Sequence, residues 1–147
     1  MEWLIPDEQA GQSLLFHSQN IEFNLRDESK YHTWIESILA AEDHAYGEIN
    51  FIFCDDDYLL EKNKAYLQHD TLTDIITFEY NHTPISGDIF ISIERVRENA
   101  LERKLLFEKE LHRVMAHGIL HLCGYGDKKE TEVTIMREKE EVYIGLI

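Results

Sequence analysis

Little in this sequence suits a secreted or membrane-embedded protein. It holds two cysteines in 147 residues, Cys54 and Cys123. That is too few for the disulfide framework of a small secreted domain, so a reducing, cytoplasmic setting is expected. No apolar run nears the ~20 residues that a membrane-spanning helix requires. The opening MEWLIPDEQAGQ has an acid at position 2 and no basic stretch, so no secretory signal is expected. There are two prolines, Pro6 and Pro84, and no repeat, low-complexity tract or linker; one domain over residues 1–147 is expected. Basic residues are scarce as well, 14 against 29 acids, for a net charge of −15. Loose binding to nucleic acid draws on Lys and Arg to neutralise phosphates, so this balance argues against it. Neither DNA nor a membrane is expected as a partner. The imbalance is local: residues 1–94 carry 4 basic and 19 acidic side chains, whereas residues 95–147 carry 10 of each. Finally, G-x-x-x-x-G-K, G-x-G-x-x-G, G-x-S-x-G and paired C-x-x-C motifs are all missing, which removes the commonest nucleotide, triad-hydrolase and zinc-ribbon chemistries.

What is present is a foldable core, with 44% hydrophobic and 11% aromatic residues. Alternation in Ile21–Leu25 predicts a short strand. Ser29 is a candidate cap for a helix through Tyr31–Ala45, with Trp34, Ile35, Ile38, Leu39 and Ala41 as its apolar stripe and Gly47 as its stop. Glu48–Cys54 reads as a buried strand, and Asp55–Asp57 open a helix to about Leu67, where acids suit the helix dipole. Strands are expected at Asp74–Glu79 and Asp88–Ile93, joined by the turn-forming NHTPISG. Helices follow from Glu94 to about Arg103 and from Phe107 to Leu122. A last one, capped by Thr131, runs to about Val142 with Val133, Ile135 and Met136 as contacts. The order β-α-β-α-β-β-α-α-α predicts an α+β domain: a small mixed sheet of about four strands with helices packed on it.

The chemistry concentrates in Leu111–Asp127, LHRVMAHGILHLCGYGD. His117 and His121 stand at i and i+4 on a predicted helix, which sets both imidazoles on one face, about one turn apart. Gly124 suits the helix end, and Asp127, three residues on, is placed where a reversing chain returns a third ligand. The spacing H-x-x-x-H-x-x-G-x-x-D matches the zinc motif of metzincin peptidases, H-E-x-x-H-x-x-G-x-x-H, at both helical histidines and the glycine. It departs where the general-base glutamate becomes Gly118 and the third histidine becomes Asp127. The spacing argues for a metal, and Gly118 argues against a peptidase. Two histidines and a carboxylate with an open position suit catalytic zinc and also non-haem iron. Cys123 is expected to point away as a small core residue. His17, His32, His44, His69, His82 and His112 have no partner at ligand spacing and read as surface or core residues.

HGILHLCGYGD resembles the H-G-x-L-H-L-x-G-Y-D-H signature of the YbeY family, bacterial ribosomal-RNA maturation endoribonucleases. The likeness extends upstream. Asn63 followed by Asp70-Thr71-Leu72-Thr73-Asp74-Ile75-Ile76-Thr77-Phe78 is similar to that family's N-x-x-F-R-x-x-D-x-P-T-D-V-L-S-F block. Gly87-Asp88-Ile89 matches its G-D-I strand, and Met136 and Glu140 fit its M-x-x-x-E. The resemblance implies an α+β fold with a zincin-like metal cleft at the end of a helix. It also implies one zinc ion held by His117, His121 and Asp127, and cleavage of single-stranded RNA. Late maturation of small-subunit ribosomal RNA and ribosome quality control would be the setting, with ribosomal RNA and the small ribosomal subunit as partners.

Leu67 stands where that family has an arginine suited to grip phosphate. Arg95, Arg97, Arg103, Lys104, Lys109 and Arg113 are candidate substitutes, or ordinary surface charges. Asp74 would border the cleft, either orienting a ligand or positioning water, or else capping the strand entry. Two other activities compete with a metal-dependent endoribonuclease: a metal-stabilised ribosome-assembly factor that binds without cutting, and a zinc hydrolase of another substrate.

Overall fold

The computed structural model describes residues 11–67 and 72–147. Pro6, His69, Asp70 and Thr71 therefore lie outside the described residues. Among those described, the order is β1 (Ser13–Gln19), α1 (Glu28–Ala41), β2 (Tyr46–Cys54), α2 (Asp56–Leu67), β3 (Ile75–His82), β4 (Ile85–Ser92), α3 (Ile93–Arg103), α4 (Phe107–Leu122) and α5 (Glu130–Ile144). The strands form one mixed sheet in the order β1-β2-β4-β3. β1, β2 and β4 run parallel, and β3 lies antiparallel to β4 on the outer edge. A parallel neighbour cannot be reached by a tight turn. Accordingly α1 lies between β1 and β2, and α2 with β3 lies between β2 and β4.

The first strand is displaced from its predicted place. Residues 21–25 are not a strand; Ile21, Phe23 and Leu25 pack inward from a loop that follows Asn20, a residue with φ 59. The alternation there marks a buried side, but no neighbouring strand pairs with it. Ser29 is not the cap of α1. Asp27 is, accepting from the Lys30 N–H while the Ser29 hydroxyl donates to it. That helix ends at Ala41, which is exposed, and Gly47 sits inside β2 rather than stopping the helix. The predicted NHTPISG turn contracts to Thr83 and Pro84, because pairing between β3 and β4 runs to His82 and Ile85. In α5, Thr131 lies within the helix, and Ile135 faces solvent at 46% exposure.

Side chains alternate across the sheet. One face, with Ile49, Phe51, Phe53, Ile89 and Ile91, is covered by α1 and α4. The other, with Ile52, Cys54, Ile76 and Phe90, carries Leu59 of α2. α4 is the buried centre: Leu111, Val114, Met115, Ala116, Ile119 and Leu120 are each at most 1% exposed. Gly118 sets how closely α4 lies on the sheet. A Cβ there would come within 2.9 Å of both Ile75 and Ile89 side chains. A glutamate at 118 would be driven into the sheet, so the residue that argues against a peptidase is also required for packing.

Candidate metal centre

α4 has the predicted limits, and its last two turns carry His117 and His121. Their ring centroids lie 4.4 Å apart. Cys123 caps the helix, and Gly124 at φ 107 then turns the chain back. That reversal brings Asp127 home: its Oδ2 lies 3.2 Å from Nε2 of His117 and 3.2 Å from Nε2 of His121. These three donor atoms lie within 4.8 Å of one another and form the one such cluster of three among the described residues. Cys123 packs partly against the core instead, its thiol pushed up to about 12 mainly by burial.

Each imidazole is oriented through its second nitrogen. His121 Nδ1 lies 2.8 Å from the Tyr125 carbonyl oxygen. A carbonyl only accepts, so Nδ1 carries a proton, which in the neutral ring leaves the lone pair on Nε2. His117 Nδ1 lies 2.6 Å from Oε2 of Glu140 and donates to that carboxylate in the same sense. Both Nε2 atoms therefore face the Asp127 oxygen at 3.2 Å, a convergence that a bound cation or a proton on Nε2 would bridge. Two donors on a tetrahedral zinc ion with bonds near 2.0–2.1 Å stand about 3.3 Å apart, close to the observed separations. The donor set fits such an ion.

Behind the histidines lies a charge network. Glu140 lies 3.6 Å from Arg113, and Arg113 makes a two-pronged pair with fully buried Glu110, at 3.1 and 2.6 Å. Burial works against the Arg113 charge, but the bonds to Glu110 outweigh it and hold the group firmly protonated. Asp74 lies 3.7 Å from the same guanidinium and 3.5 Å from Asn99 Nδ2. It reaches the imidazoles through Arg113 and Glu140, and its main-chain oxygen accepts from Ser92 beside the strand entry. Glu140 had only a family pattern to mark it. Its one local sign is that an acid shares the inward stripe Met136, Glu140 and Tyr143 of an otherwise exposed helix.

The centre opens into a cleft of about 650 Å³ between α2, the start of β3 and α4. Asn63, Leu67, Thr73, Asp74, Thr77, Arg113 and Lys128 line it with the three donors. Leu67 thus borders the cleft. Of the six candidate cations, Arg113 lines it, but its guanidinium is committed to carboxylates. Arg95 pairs with Asp56 at 2.9 Å, and Arg97 lies over the Phe107 ring. Lys128 adds a cation at the rim that the sequence did not single out. No helix among the described residues is long and apolar enough to cross a membrane.

A family model described as Endoribonuclease YbeY matches residues 15–146. The Endoribonuclease YbeY of Flavobacterium psychrophilum is 53% identical over 134 residues, covering 90% of this chain and 96% of that protein. That of Cytophaga hutchinsonii is 43% identical over 137 residues, covering 92% and 96%. A Thermotoga maritima protein solved in solution superposes with a TM-score of 0.65 at 28% identity, covering 89% of this chain and 86% of that one. The match runs from the first strand to the last helix, and with half the residues shared across nine-tenths of the chain, this protein belongs to the Endoribonuclease YbeY family of RNA-cutting hydrolases.

Proposed function

We propose that this chain is a single-domain, zinc-dependent endoribonuclease specific for single strands. It would act in the cytoplasm on ribosomal RNA of the small ribosomal subunit, in late maturation and quality control. One zinc ion would be held by His117, His121 and Asp127. The observation that carries this reading is the convergence of two Nε2 atoms and a carboxylate oxygen at the floor of the cleft, in a chain of this family. When bound, zinc supplies Lewis-acid polarisation of the scissile phosphate and activation of the attacking water.

The chain's own residues do the rest. Glu140 and the Tyr125 carbonyl hold the protons on Nδ1 and so keep both Nε2 atoms available. Arg113 steadies Glu140 as a neighbouring countercharge. Lys128 is placed to meet phosphate at the rim. A flexible strand can lay one phosphate into this cleft, whereas a duplex holds its backbone on a stiff, wide rod. With a charge of −15, affinity for bare RNA should be low, which favours a substrate presented on a ribosomal particle.

The test is cleavage of single-stranded and duplex RNA of one sequence by the chelator-stripped protein, with and without added zinc. Zinc-restored cutting of the single strand is expected, with casein left intact. Peptide cleavage with inert RNA would overturn the reading.

A further inference from the structure

Asp127 stands on a loop, and its carboxylate is 40% exposed. A carboxylate so placed holds a ligand position only if the loop beneath it is held. On its C-terminal side the loop is fixed by Glu132, which accepts from the Lys128 and Lys129 N–H groups at 3.2 and 2.9 Å. On its N-terminal side the fixture is Tyr125. Its N–H donates to the Leu120 carbonyl at 3.0 Å, its own carbonyl orients His121, and its hydroxyl donates to Oε1 of Glu42 at 2.6 Å.

Glu42 comes from the C-terminal cap of α1, 83 residues earlier in the chain. Its side chain is 6% exposed and also accepts from Tyr143 and, at 3.0 Å, from Lys139, both on α5. Lys139 Nζ lies 5.5 Å from the centre of the Tyr125 ring, so the ring is held from its face as well. Burial disfavours the Glu42 charge, but the bonds from Tyr125, Tyr143 and Lys139 outweigh it and keep the carboxyl below its ordinary range.

We propose that Glu42 is a positioning residue of the metal centre: through the Tyr125 hydroxyl it fixes the loop that presents Asp127 and orients His121. This rests on the metal reading proposed above. A merely structural role would tie α1 to α5 and leave the metal indifferent. The two tyrosines separate these cases. Tyr143 and Tyr125 share the same carboxylate, but only Tyr125 belongs to the ligand loop.

The experiment uses the full chain, stripped by chelator. Zinc affinity is measured against a competing chromophoric chelator, and metal-free melting is followed by circular dichroism. Tyr125→Phe should weaken zinc roughly tenfold, as loss of an outer-shell partner does, with metal-free melting lowered no more than by Tyr143→Phe. Tyr143→Phe should lower melting yet leave zinc affinity within about twofold of the parent, since no ligand depends on it. Glu42→Gln, which keeps an acceptor oxygen of the same size, should fall between parent and Tyr125→Phe. Zinc affinity unchanged in Tyr125→Phe, or equally weakened in Tyr143→Phe, overturns the inference alone. A parent chain that takes up no zinc overturns the metal reading and this inference with it.

Discussion

His117 and His121 stand one helical turn apart, yet the molecule holds them by opposite means. His121 donates to a main-chain carbonyl four residues on, within the same helix-and-loop unit. His117 donates to a side chain 23 residues on, in a network with buried Glu110 and half-buried Arg113. A main-chain acceptor survives every substitution at Tyr125. A side-chain acceptor is lost with one. No substitution can therefore remove the acceptor of His121, although the loop that carries it still depends on the Tyr125 side chain, whereas the acceptor of His117 is lost with Glu140, a change that also leaves buried charge unpaired.

The largest effect should come from removing any of the three donors. His117→Ala, His121→Ala and Asp127→Ala should each lose stoichiometric zinc and the zinc-dependent rise in melting temperature. Asp127→His should keep both, because imidazole and carboxylate bind zinc at similar distances of about 2.0–2.2 Å. Metal content by mass spectrometry decides; full occupancy in Asp127→Ala would remove that residue from the ligand set.

The asymmetry itself is tested by Glu140→Gln, which is nearly isosteric. Zinc affinity should fall by roughly 10–100-fold, and stability should drop because Arg113 loses part of its countercharge. If affinity stays at the parent value, His117 is oriented by something else and the contrast between the two histidines fails.

A third histidine of α4 sharpens the contrast because it belongs to neither arrangement. His112 is buried against Trp34 and lies 2.9 Å from the Tyr31 hydroxyl. Burial lowers its pKa below the ordinary value of 6.5. The unfolded chain then takes up a proton that the native state refuses, so stability falls as pH drops through about 6.5 and the loss is complete below the native pKa. Urea midpoints of the chelated protein should show this decline, and His112→Gln should flatten it. An unaltered pH profile would mean that His112 titrates normally.

The smallest effect belongs to Thr131→Ala. This residue does not cap α5; Glu132 satisfies the N–H groups there. Stability should change by less than ~0.5 kcal/mol. Glu132→Ala should cost visibly more, and equal costs by denaturant unfolding would contradict the capping assignment.

Several elements were legible in advance for one physical reason. α4 carries its apolar residues at helical spacing over its full length between Phe107 and Leu122, and a glycine follows where the chain must take φ 107. The i,i+4 imidazoles follow from helix geometry alone. The pattern predicts β3 and β4 shorter than they are, because turn-forming residues such as Asn81 and Gly87 are absorbed into the paired strands. Ile21–Leu25 has the period of a strand and the burial of one, and lacks only a partner.

By itself, the sequence determined the period-governed features: the sheet-and-helix order after the first strand, the paired histidines, and a reversing turn that carries Asp127 to them. Only the tertiary structure decided which segment pairs with β2, why Gly118 must be glycine, and that Glu140 and Glu42 stand behind the two histidines. Spacing along a chain reports which side of an element is buried. It carries no information on what is packed there, and partners 23 and 83 residues apart meet only because α5, the Asp127 loop and the end of α1 close over the same helix.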